Sequence, residues 1–132
     1  DVADDYSSTN LGQLANYYAG LCYLNTANFA NAIEYLGDFS SDDIILSSLA
    51  LGCMGDAYME LGDTDAALDA YADAVNNSAN DFTAPRYMMK QAMIYTSNGD
   101  NNKALDLFKA IQSDYKTSRE ANGIEKYIAR VD

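Results

Sequence analysis

The stretch Gly55-Asp56-Ala57-Tyr58-Met59-Glu60-Leu61-Gly62-Asp63-Thr64-Asp65-Ala66-Ala67-Leu68-Asp69-Ala70-Tyr71 decides the fold. It reads as two helices broken at Gly62. Gly55 and Tyr58 stand three apart, on one helix face. Gly62 suits a left-handed helix end followed by a tight turn. Ala67, Tyr71 and Ala74 then recur at helical spacing. A glycine inside a helix costs about 1 kcal/mol against alanine, so Gly55 needs a packing reason. Small residues at 55 and 67 let two antiparallel helices approach where larger side chains would collide.

The same pattern occurs twice more. Gly20-x-x-Tyr23 is followed by Ala32 and Leu36, and Ala92-x-x-Tyr95 by Gly99, Ala104, Phe108 and Ile111. The copies are spaced by 35 and 37 residues, a period at which stacked helical repeats are built. In the first copy Ala27 stands where the others have glycine, which makes its turn the departure from the pattern. Helices are expected over 10–25, 28–39, 42–61, 64–76, 82–97, 100–113 and 118–131. Ser41, Asp81 and Thr117 are the expected N-caps, each just before a helix start. The run from Asn76 to Asn80 marks a repeat junction.

A partial fourth copy is visible at the ends. Asp5-Tyr6-Ser7-Ser8-Thr9 matches Asp114-Tyr115-Lys116-Thr117-Ser118, and the same offset carries Tyr18 onto Tyr127 and Gly20 onto Ala129. Residues 118–131 therefore read as the first helix of a fourth repeat, which would cover the apolar side of the last pair as solenoids require. By the same alignment Asp1 to Tyr6 would continue a preceding helix. The chain opens on Asp1 rather than Met, with no signal-peptide pattern, so it is expected to be a piece of a longer protein.

These residues resemble the tetratricopeptide repeat (TPR) family from about Leu14 to the C-terminus. The resemblance implies an all-α fold, a right-handed α-α superhelix (solenoid) of three helix pairs plus a C-terminal capping helix. The repeats fall at about 13–41, 48–80 and 85–116, within one domain over 1–132. Asn16 departs from the bulky residue that the family pattern places there, and the proline expected at the repeat end is missing, Ala79 standing at its place in the second repeat. A narrower resemblance is to membrane-anchored TPR proteins of the bacterial cell envelope, including ancillary subunits of the Sec translocon. It rests on the Asp-Tyr-x-Ser/Thr run, Ala15-x-Tyr17-Tyr18-Ala19-Gly20 and Lys126-Tyr127-Ile128-Ala129. It implies a periplasm-facing domain anchored by an upstream segment, the cytoplasm being the other compartment open to it.

In TPR proteins the first helices of successive pairs line a concave groove. Carried onto this chain, the groove positions are Leu14, Tyr17, Leu21 and Leu24; Leu49, Gly52, Asp56 and Met59; and Arg86, Met89, Met93 and Thr96, with Lys90 one turn from Arg86. The resemblance implies a protein or peptide as partner. Spacings of three and four set each group on one face, and the stripe is apolar and methionine-rich, a surface that adapts to varied partners. Two readings stay open: a channel for a peptide or helix of another protein, or a groove filled by the protein's own chain or a second copy. The expected state is a monomer or weak dimer. Arg86 and Lys90 resemble half of the clamp that holds a C-terminal carboxylate in chaperone-binding members. Tyr17, Leu21 and Cys53 stand where that clamp needs a lysine and two asparagines, so a solvated pair balancing nearby acid is the expected arrangement.

Composition excludes much else. At 48% hydrophobic and 21% charged residues, the 132-residue chain can bury a core. The net charge of −12 repels a phosphate backbone, so no nucleic-acid partner is expected. That charge fits solubility, or attraction to a basic partner. No apolar run is long enough to span a membrane. There is no histidine, so no Ser-His-Asp or Cys-His pair can be assembled. Cys22 and Cys53 form no metal spacing and are expected as small buried hydrophobes. The acidic clusters at Asp42-Asp43 and Asp63-x-Asp65 sit at helix starts and fit no calcium loop. No metal, no cofactor and no catalytic residue is expected.

Overall fold

The computed structural model describes residues 10–78 and 80–132. Among these residues all regular structure is helical: α1 (Asn10–Asn25), α2 (Phe29–Asp38), α3 (Ile44–Glu60), α4 (Thr64–Ser78), α5 (Ala84–Ser97), α6 (Asn101–Asp114) and α7 (Glu125–Val131). Each helix packs on its neighbour in the chain, and α1 also touches α3. This serial packing is that of a solenoid of three helix pairs closed by a C-terminal helix. The expected helix over Asp1–Tyr6 lies outside the described residues.

The recurring small residues have identifiable neighbours. A side chain at Gly20 would run into Leu36, and one at Gly55 into the ring of Tyr71. In each case the small residue of the first helix receives the bulky residue that follows the second helix's alanine by four. Ala92 and Phe108 share a buried cluster in the third pair. Ala32, Ala67, Ala92 and Ala104 are fully buried, so any added methylene at the seams would meet packed atoms.

The turns inside the pairs are three copies of one motif. Gly62 and Gly99 adopt φ of 80° and 81°, and Ala27 adopts 61° in the same place. The amide after each donates to the carbonyl of the recurring tyrosine: Asn28 to Tyr23 at 2.8 Å, Asp63 to Tyr58 at 2.9 Å and Asp100 to Tyr95 at 2.8 Å. Together with bonds from Ala27 to Leu24, Gly62 to Met59 and Gly99 to Thr96, this is the Schellman closure of a helix C-terminus. The first turn therefore keeps the motif, with an alanine in a conformation that disfavours a side chain.

Three expected caps are displaced. Asp43, not Ser41, caps α3, its carboxylate accepting from the amides of Ile45 and Leu46 at 3.0 and 3.1 Å. Ser41 acts one step out, accepting from the Asp43 amide. Before α5 it is Asn80, not Asp81, that accepts from the amides of Phe82 and Thr83. Thr117 caps no helix, because the last helix begins at Glu125 rather than 118. Residues 116–124 run in turns instead, with bonds from Asn122 to Arg119 and Ile124 to Ala121, and Gly123 at φ 76°. The shortened helix still closes the solenoid. Ile124 and Val131 are buried over Phe108 and Ile111, and Tyr127 stacks on Phe108 with centroids 5.5 Å apart.

Candidate functional site

Helix α1 carries no charged residue; α3 carries Asp56 and Glu60, and α5 carries Arg86 and Lys90. Asp56 and Lys90 meet. Lys90 donates to Asp56 Oδ1 at 2.7 Å, tying the second pair to the third. The same oxygen accepts from the Tyr71 hydroxyl at 2.5 Å, and the Lys90 ammonium lies 5.7 Å from the Tyr71 ring centroid. Burial, and then the hydrogen bond to Asp56, push the Tyr71 hydroxyl well above the usual phenol range, so it stays a donor. The ion pair keeps 34% and 38% of its side chains exposed, so solvent screens it and its main effect is orientation.

On one side of this pair lies an open apolar cavity of about 320 Å³, lined by Met59, Tyr71, Met89, Lys90, Met93, Ile94 and Ser97. On the other lies a second, lined by Leu24, Phe29, Asp56, Met59, Glu60 and Lys90. Met59 and Lys90 border both, so the two cavities adjoin, and together they make a trough with walls from all three pairs. Met59 and Met93 are about two-fifths exposed, large apolar side chains left open to contact.

Of the residues expected in the groove, Leu24, Asp56, Met59, Met89, Lys90 and Met93 line this trough. The others are placed elsewhere. Tyr17 is buried in the core of the first pair, its ring 5.1 Å from that of Phe39, which folds back over it from the end of α2. Leu21 and Leu49 pack against the core clusters. Gly52 lies beneath the ring of Tyr87. Arg86 parts from Lys90: it lies over the ring of its neighbour Tyr87 and lines a separate cavity with Asp81, Phe82, Arg119 and Glu120. Leu14 borders a further cavity with Gln13, Phe39, Asp42, Asp43 and Leu46.

Phe29, Glu60, Tyr71, Ile94 and Ser97 belong to the trough without having been expected there. Tyr71 carried a signal, since it is the bulky residue of the repeat, but its hydroxyl contact depends on how two pairs stack. Cys22 is exposed rather than buried, and Cys53 is half-buried. Burial first, and then the charge of Asp56, push the Cys53 thiol up, against a smaller opposite pull from Arg86 and Lys90. Cys53 is thus held as a thiol, not as a reactive thiolate. Among the described residues no group of acidic or cysteine side chains is placed to hold a metal, and no helix is long and apolar enough to cross a membrane.

Comparison with curated proteins returns no match. The family described as Tetratricopeptide repeat matches at residues 14–42, 54–81 and 86–118, which together cover more than half of the chain. The three windows follow the three helix pairs, the third running on into the turns before α7. Such repeats generally mediate protein–protein interaction as non-catalytic scaffolds. With its small-residue seams, Schellman turns and matched windows, the chain belongs to the tetratricopeptide repeat family.

Proposed function

We propose that this chain is a non-catalytic scaffold that holds a peptide or helix of another protein in the trough from Leu24 and Phe29 through Met59 to Met93. The observation that carries the reading is the open, methionine-walled cavity beside the Asp56–Lys90 pair. Methionines re-pack around different apolar side chains at little cost, and the fixed ion pair gives an occupant a polar edge to register on. Peptides selected on the wild-type chain from a random display library test it. Met59→Ser with Met93→Ser, both at exposed positions, should weaken them at least about tenfold, a loss of about 1.4 kcal/mol. Selected peptides that bind the folded double variant unchanged would refute the reading.

A second reading, self-association, is favoured by one observation. The uncharged α1 leaves Leu11 at 65% and Tyr18 at 57% exposure. Light scattering discriminates: a dimer abolished by Leu11→Ser with Tyr18→Ser supports it, and a monomer at all concentrations removes it.

A further inference from the structure

The charges of this chain are segregated along its length. All 8 lysines and arginines stand at Arg86 or beyond, and residues 1–85 contain acids alone. The first two helix pairs are therefore uniformly negative, and the third with its closing segment is mixed. This matters for the trough because its cavity between the first two pairs joins Leu24, Phe29 and Met59 to Asp56 and Glu60. Lys90 is the one cation lining that cavity, and it is engaged by Asp56. Exposed Glu60 forms no ion pair among the described residues.

An acidic rim beside an apolar floor is complementary to one class of occupant. Resting on the scaffold reading above, we propose that the trough takes a basic amphipathic segment of another protein. Its apolar side chains seat along Leu24, Met59 and Met93, and its lysines or arginines lie against Glu60 over the first two pairs. An acidic segment meets like charge from residues 1–85, and a neutral one forgoes the attraction. The field also sets direction: the basic part of the segment ends before Arg86, where the chain's own cations begin.

Three synthetic amphipathic peptides of one length test this, each with leucines on one face and lysine, glutamine or glutamate on the other. They are titrated into the full chain by fluorescence anisotropy at about 50 mM and about 300 mM salt, conditions that bracket strong and weak screening. The lysine peptide should bind about tenfold more tightly than the glutamine peptide at low salt, and the glutamate peptide least, with the gap narrowing at high salt. Glu60→Gln should cut the lysine advantage at least about threefold while leaving the glutamine peptide unaffected. Met59→Ser with Met93→Ser should weaken both. A glutamine or glutamate peptide that binds as well as the lysine peptide overturns the inference and leaves the scaffold reading standing. A lysine peptide indifferent to the methionine variant binds some other acidic surface, which also overturns it. If no peptide binds, both readings fall.

Discussion

The ring of Tyr87 occupies the space that a side chain at position 52 would need, so Gly52 of α3 is the seat for a residue of α5. The contact joins the first helices of successive pairs, and it is extended by Tyr71, which stacks on Tyr87 with centroids 5.8 Å apart. Replacing Gly52 by alanine sets two effects against each other. Helix propensity favours alanine by about 1 kcal/mol, while forcing a methyl into the Tyr87 ring costs about 1–3 kcal/mol or more. Because the obstruction is a buried ring rather than a flexible end, steric loss should win. Gly52→Ala is expected to lower the thermal midpoint, and Gly52→Ala with Tyr87→Leu to recover part of it.

The Schellman turns give predictions of opposite sign. Ala27 holds φ 61°, a region that disfavours a side chain. Ala27→Gly should therefore stabilise the protein by about 1 kcal/mol, whereas Gly62→Ala and Gly99→Ala should each destabilise by a similar amount. Nothing lies near these two glycines for an added carbon to strike, so backbone strain alone is measured. Urea unfolding of the three variants checks both signs.

The Asp56–Lys90 bond is short, yet both partners are over a third exposed. A double-mutant cycle with Asp56→Asn and Lys90→Met should return a coupling below about 1 kcal/mol. Added salt should shrink it further. Tyr71→Phe belongs in the same series, because Asp56 loses a hydrogen bond there without losing its charge partner.

Alkaline pH should act on the aromatic seam. Burial raises the hydroxyls of Tyr71, Tyr87 and Tyr17 above the ordinary phenol value. A raised folded-state value means that the stabilisation is fully present below about pH 10, where unfolded tyrosine ionises, and is lost as pH climbs toward the folded values. Stability should therefore fall with rising pH above about 10. Tyr71→Phe should flatten that fall. Difference absorbance of tyrosinate during alkaline unfolding would show these tyrosines ionising only as the chain unfolds.

The repeat was legible because its steric rule is local in register. Gly20 with Leu36 and Gly55 with Tyr71 sit at equal separations, so a single chain laid on itself reveals them. Gly62 and Gly99 announce their turns for the same reason. Ala27 did not, since the bond from Asn28 to Tyr23 holds the turn without help from its residue type. The contact of Gly52 with Tyr87 occurs once and spans two pairs, so repetition gave no hint. Tyr17 looked like a groove residue by spacing, but Phe39, outside any helix, folds over it. The late start of α7 was written in Gly123, whose φ of 76° ends the turns there, yet periodicity alone carried the helix back to 118. Cavity lining was legible from the faces of first helices at Met59, Met89 and Met93. It was not at Phe29, the first residue of a second helix, because the resemblance takes the groove from first helices alone.

The buried residues fall into three groups in series: one around Leu36 and Tyr17, one around Tyr71 and Tyr87, one around Phe108, Ile111 and Ile124. The second and third meet at Val75, which packs against both. Damage to such a molecule stays where it is inflicted: truncating Leu36 and truncating Phe108 should sum to within about 0.5 kcal/mol, because they share no neighbour. Resistance to unfolding is then set by how many links stand in the row, so that lineages or designers can lengthen or shorten it one link at a time without rewriting the rest.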